Sequence, residues 1–224
     1  DWKSAFGLEL GSLADWPANA HWPSLLLTLP VKDAAKAQKI VAAFTKTDQE
    51  AIWTQTEKDG VRYFSMQSRA SFLAITPAIA LSNRIMVAGI DPASVEAAMK
   101  HDRNANSDLS NSQLYKAAVR SVPAPTNFFT YVDVALLYGR LDTTLRPMLI
   151  MSAAFIPAIG DYVDVSKLPA PEIVTRHLSP IVSSQRYDRD GYVAESVGPV
   201  TLNQATVGFG LAAAFWAISR QQHR

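Results

Sequence analysis

Two rhythms of apolar and polar positions run along this chain, and they change over at turn residues. Ser24-Leu25-Leu26-Leu27-Thr28-Leu29 is a continuous apolar run that meets Pro30, which predicts a buried strand. From Lys32 to Phe44 the spacing becomes helical. Ala35, Ile40, Val41 and Phe44 oppose Lys32, Lys36 and Lys39, an amphipathic helix with a lysine-rich outer face. Two β-prone runs, 51–55 and 61–66, flank Glu57-Lys58-Asp59-Gly60, a strong hairpin signal. Runs 79–81 and 85–90 around Ser82-Asn83-Arg84 predict a second hairpin. Asp91-Pro92 then opens a helix by capping and first-turn proline, running through Val95, Ala98 and Met99.

A polar stretch, 101–112, precedes a predicted helix at 113–122. Pro123-Ala124-Pro125 breaks the chain before a strand at 127–132. Residues 133–154 read as one or two helices, with Pro147 as a kink or a fresh start. A short helix at 168–178 and a hairpin, 181–187 with 192–197, follow. The order strand, helix, hairpin thus occurs twice. Each hairpin carries a basic residue, Asp and Gly (Lys58-Asp59-Gly60, Arg189-Asp190-Gly191), followed at one offset by Ser65 or Ser196. Two β-α-β-β modules would give this pattern. The expected class is α+β, a mostly antiparallel sheet with helices on one face, plus a C-terminal apolar helix. Residues 147–160 carry no charge between Arg146 and Asp161 and predict a helix buried under the sheet. A membrane-facing or partner-facing helix is the sharper reading.

The end of the sequence changes the picture most. No charged side chain occurs from Ser196 to Ser219, and Arg220, His223 and Arg224 follow. A helix over 200–219 would be about 30 Å long, enough to cross a hydrocarbon core. Gly208 and Ala212 would supply a small-residue packing face, and Trp216 would sit at the interface beside Arg220. Thr201, Asn203, Gln204 and Thr206 dilute the first turn, and the strongly apolar part, 205–218, also suits a core or interfacial helix. The expected organisation is an extracytoplasmic α+β domain over 1–199 and a transmembrane helix with a short basic tail over 200–224. The basic end would place the C-terminus in the cytoplasm. Asp1-Trp2-Lys3 has no targeting character, and the abrupt start reads as a trimmed N-terminus.

Composition narrows the chemistry. The 224 residues are 48% hydrophobic and 18% charged, with 21 Lys and Arg against 20 Asp and Glu. That is a globular composition, and its near-neutral balance disfavours nucleic acid as a partner. Without cysteine there is no disulfide, thiolate nucleophile or zinc–thiolate site. No two of His21, His101, His177 and His223 stand at i, i+4, and no nucleophile elbow, phosphate loop or dinucleotide motif occurs. Asp102, Asn104, Asn106 and Asp108 alternate like the start of a calcium loop. Ser107 replaces its turn glycine and Gln113 its closing glutamate, so a solvated linker is the plainer reading. Asp133 with Asp142, or Asp161 with Asp164, could be posed as an acid–base pair, and Trp16, Trp22 and Trp53 as a pocket lining. Neither pairing has a spacing that marks a site. No catalytic residue and no cofactor is assigned.

Residues 22–33, Trp22-Pro23-Ser24-Leu25-Leu26-Leu27-Thr28-Leu29-Pro30-Val31-Lys32-Asp33, resemble the strand-then-helix unit of a broad, uncharacterised family of bacterial extracytoplasmic (envelope) proteins with acidobacterial and verrucomicrobial members. Tyr131-Val132-Asp133 and Glu195-Ser196-Val197-Gly198-Pro199 resemble its later strand and its strand-to-tail junction. The resemblance implies an envelope location and a longer parent protein. It brings no established activity and no catalytic residues.

These readings converge on a non-enzymatic, membrane-anchored accessory or scaffold subunit of an envelope or membrane-embedded complex. Its partners would be other membrane or envelope proteins, with membrane lipid around the C-terminal helix. The alternative is a periplasmic binding module for a lipid or other apolar ligand. A hydrolase built on scattered carboxylates or histidines is the third possibility.

Overall fold

The structure, a computed structural model, describes residues 1–17, 20, 22–47, 51–67, 75–103, 108–155, 164, 167–189 and 191–200. The sequence reading treats 1–199 as one domain; the folded chain divides into two compact units, Asp1–Ser107 and Asp108–Arg224. Each holds its own antiparallel sheet, and the class is α+β, as expected.

In the first unit the strands are β1 (Gly11–Asp15), β2 (Ser24–Pro30), β3 (Ile52–Lys58), β4 (Val61–Gln67), β5 (Ala78–Leu81) and β6 (Ile85–Gly89), in the spatial order β1-β2-β6-β5-β4-β3. Three helices accompany them: α1 (Trp2–Ala5), α2 (Ala34–Thr47) and α3 (Pro92–Arg103). Both predicted hairpins form. Lys58 pairs with Val61 across Asp59 (φ 54°) and Gly60 (φ 73°), the two left-handed residues that a tight two-residue turn demands. Asp33 starts α2 by accepting the amides of Ala35 and Lys36, each at 3.0 Å, and Asp91 starts α3 by accepting that of Ser94 at 2.7 Å.

The helices of this unit do not share one face, which corrects the expected layering. Side chains along β5 belong alternately to two cores. Ile79 and Leu81 join Phe64 under Ala37 and Val41 of α2, with Ala5 of α1 and Phe6. Ala78 and Ala80 join Leu26, Val61 and Val87 under Val95 and Met99 of α3. Successive residues of a strand point to opposite faces, so a strand whose four residues are all buried must be covered on both. β2 also differs from expectation. Leu26 is buried, but Leu25 and Leu27 point to the other face, where about half of each is exposed. The leucine run reflects two unequal environments.

The second unit contains α4 (Asp108–Asn111), α5 (Gln113–Val119), β7 (Phe128–Val132), α6 (Val134–Phe155), α7 (Pro171–Thr175), β8 (Ile181–Asp188) and β9 (Gly191–Val197). Its sheet order is β7-β8-β9. Ser112 caps α5 by accepting the Tyr115 amide, and Tyr115 sets its ring edge-on to Phe129 and Tyr131 of β7. Burial pushes the Tyr131 hydroxyl pKa up, and Asp133 adds to the shift. The recurring order strand, helix, hairpin is present, but its pairing differs. β7 lies beside β8, whereas β2 is separated from β4 by β6 and β5. The repeated Asp-Gly also falls differently. Asp59-Gly60 forms the centre of its turn, while Gly191 pairs with Asp188 and already belongs to β9. Ser65 and Ser196 are therefore not equivalent, because a one-residue slip turns a side chain to the other face.

Candidate functional site

The second unit's longest element carries its most unusual surface. Asp133 accepts the Leu136 amide at 2.9 Å and starts α6, which runs as one helix through Pro147. One side of α6 is fixed by charge. Arg146 makes a forked contact with Asp142, with Nη2 to Oδ1 at 2.6 Å and Nε to Oδ2 at 3.0 Å. The same Nη2 donates to the Pro169 carbonyl at 2.8 Å and so ties α6 to the segment ahead of α7. Hydrogen bonding to Asp142 pushes the Arg146 pKa above its ordinary value.

The other side is apolar and open. Val134, Leu137, Leu141, Thr144, Met148, Met151 and Phe155 follow one another at alternating steps of three and four, the spacing of a helix-packing seam. Met148 and Met151 are more than half exposed and Phe155 is 81% exposed. Among the described side chains of α6 none is fully buried. The expectation that the apolar segment from Pro147 lies buried under a sheet is therefore wrong for 147–152 and 155; the side chains of 153 and 154 and residues 156–160 lie outside what the structure describes. The uncharged run from Pro147 shows only half of this surface. The three-four spacing from Val134 onward is the signal that would have located all of it.

A second candidate lies in the first unit, an open cleft of about 310 Å³ between the Asp59-Gly60 and Asn83-Arg84 turns and the end of α3. Its charged groups are engaged. Arg84 donates through Nη2 to Asp102 Oδ1 at 2.7 Å and to the Asp102 carbonyl at 3.1 Å. Nearby, Glu96 takes Lys58 at 2.8 Å and Lys100 at 3.1 Å. Those hydrogen bonds hold the Glu96 carboxyl below its ordinary range and the Lys58 ammonium above its own.

The residues singled out from the sequence scatter. Of the calcium-loop candidates, Asp102 is spent on Arg84, Asn104 and Asn106 lie outside the described residues, and Asp108 begins α4. Among the described residues, no three His, Asp or Glu side chains are grouped to hold a metal ion. Asp133 caps α6, Asp142 holds Arg146, Asp164 pairs with Lys167 at 3.1 Å, and Asp161 lies outside the described residues. Trp16 donates to the Ala20 carbonyl, Trp22 is largely exposed and Trp53 packs edge-on to Phe44. Gly208, Ala212, Trp216 and Arg220 lie outside the described residues, as do His21 and His223. Among the described residues no helix is long and apolar enough to cross a membrane. Arg140, Asp142 and Arg146 interrupt α6. The structure thus defines an α+β protein of two units with one large exposed apolar helix face. No protein-family model, curated protein or solved structure matches the chain.

Proposed function

We propose that this protein is a non-enzymatic accessory or scaffold subunit of a bacterial envelope complex, held at the membrane by its C-terminal apolar segment, with residues 1–199 on the extracytoplasmic side. One observation carries the reading: the apolar seam of α6, exposed from Leu137 to Phe155. Soluble chains rarely leave a contiguous apolar face of this length in water, and such faces mark sites where a protein or a lipid docks. The uncharged block from Ser196 to Ser219, followed by Arg220, supplies the anchor. Alkaline washing of membranes tests it. The full chain is expected to stay with the membrane pellet, and a chain ending at residue 199 to be released. Release of the full chain into the wash overturns the anchor.

The same seam favours a second reading, a binding module for a lipid or another apolar ligand, because Leu, Met and Phe side chains suit acyl chains as well as a partner helix. Lipid extracted from the purified protein and identified by mass spectrometry would select it. Its absence, with a cross-linked protein partner at Met151, would select the scaffold.

A further inference from the structure

Helices α2 and α3 cover opposite faces of one sheet, yet they dispose of their charges differently. Around α3 the charges are matched: Glu96 with Lys58 and Lys100, and Asp102 with Arg84. Along α2, Lys36, Lys39 and Lys46 fall within about 80° of one another at 100° per residue, opposite the buried Ala37 and Val41. Lys32 stands just before the helix, and all four lysines are exposed. Only Lys36 has a carboxylate, Asp33 at 3.5 Å; Lys32, Lys39 and Lys46 pair with none among the described residues. Lys36 and Lys39, three residues apart on the helix, repel, which costs stability unless an opposite charge meets them.

We propose that the outer face of α2 is a docking ridge for an anionic phospholipid surface. The chemistry of the ridge selects that partner. Ala43 is the small, exposed side chain among the charges, and Ala35 flanks them. The cations of the ridge are lysines, flexible point charges that suit a mobile layer of headgroups, where arginine forks would suit fixed carboxylates or phosphates. Phe44, the exposed ring of α2, stands about 80° round the helix from Lys36 at 100° per residue and packs edge-on to Trp53, so no ring lies among the lysines for a nucleobase to stack on. A basic ridge has this use only if the protein works beside a membrane, as proposed above, but the two ideas fail separately.

The test is binding of the full chain to vesicles of phosphatidylcholine alone and of phosphatidylcholine with phosphatidylglycerol, at low and high salt. Binding to neutral vesicles measures the apolar segment, and the increment from phosphatidylglycerol measures the ridge. That increment is expected to vanish at high salt. It should fall about fivefold for each lysine neutralised, so about a hundredfold in the triple variant Lys32→Gln, Lys39→Gln, Lys46→Gln. All three side chains are exposed and their removal relieves like-charge repulsion, so the variant should melt no lower than the wild type, and Lys39→Arg should bind as the wild type does. Equal binding to both vesicle types, an increment untouched by the triple variant, or binding to polyglutamate in place of phosphatidylglycerol overturns the ridge.

Discussion

The two units of this chain use similar elements to reach different ends. In the first, β5 and β6 are flanked by strands on both edges and by helices on both faces, and Phe6, Val87, Val95 and Met99 are almost completely enclosed. In the second, a three-stranded sheet encloses Val182, Ser183 and Ser184, while the longest helix, α6, keeps its methionines, its phenylalanine and its leucines other than Leu149 exposed. Ser184 Oγ is buried there without a hydrogen-bond partner among the described residues, a cost that an aliphatic side chain would have avoided. The first unit closes a core on each face of its sheet, although Trp22, Leu25 and Leu27 stay exposed; the second leaves apolar side chains exposed along the whole of α6.

The contrast can be broken by substitution, beginning where the effect is largest. Phe64→Ala should destabilise the first unit by about 3–5 kcal/mol in urea unfolding, because the ring fills the α2-side core. A loss below about 1 kcal/mol would mean that this core is not closed. Gly89→Ala should cost about 1–3 kcal/mol. Its new Cβ would lie 2.6 Å from Leu26 Cδ2 and 2.7 Å from Val95 Cγ2, between β2 and α3. Met148→Ala and Met151→Ala in α6, both more than half exposed, should each change stability by less than about 0.5 kcal/mol, as exposed positions do. A cost above about 2 kcal/mol at either would show that something covers the seam in solution, and the comparison of the units would fail.

The smallest effect is electrostatic. Hydrogen bonds from Lys58, then Lys100, hold the Glu96 carboxyl below its ordinary pKa. A lowered folded-state pKa means stability that is complete above the unfolded carboxylate value and lost as pH falls through the folded one. Wild type and Glu96→Gln should therefore differ in urea midpoint at neutral pH and converge in acid. A difference constant with pH would show that the contacts of Glu96 with the two lysines do not stabilise the first unit.

Much of the fold was legible in the sequence because its signals are local. The Asp59-Gly60 turn, the Asp91-Pro92 helix start and the break at Pro123-Ala124-Pro125 each act within a few residues, and each stands where the pattern placed it. What the sequence concealed is set by long-range packing. Nothing within Ala78-Ile79-Ala80-Leu81 says whether one or two helices cover it, since small and large apolar residues alternate in either case. The leucines of β2 read as uniformly buried because a run of identical residues hides the alternation of the strand. The seam of α6 was obscured for another reason. Arg140, Asp142 and Arg146 break its hydropathy, although two of those charges neutralise each other on the far side of the helix.

The spatial order of the first sheet also governs how the chain can fold. β3–β4 and β5–β6 are hairpins that close over a few residues and need little more than their own turns. β2 must wait, because its inner neighbour is β6, and Leu26 meets Gly89 only after everything between has been made. Closing the loop that this ladder spans is expected to be the slow step, since its entropy must be met before the contacts return it. On the ribosome, the leucines of β2 therefore leave the exit tunnel well before their partners. Their exposure to wrong pairings lasts until β6 arrives, so pauses placed ahead of β6 should lower the yield of folded protein and pauses after α3 should not.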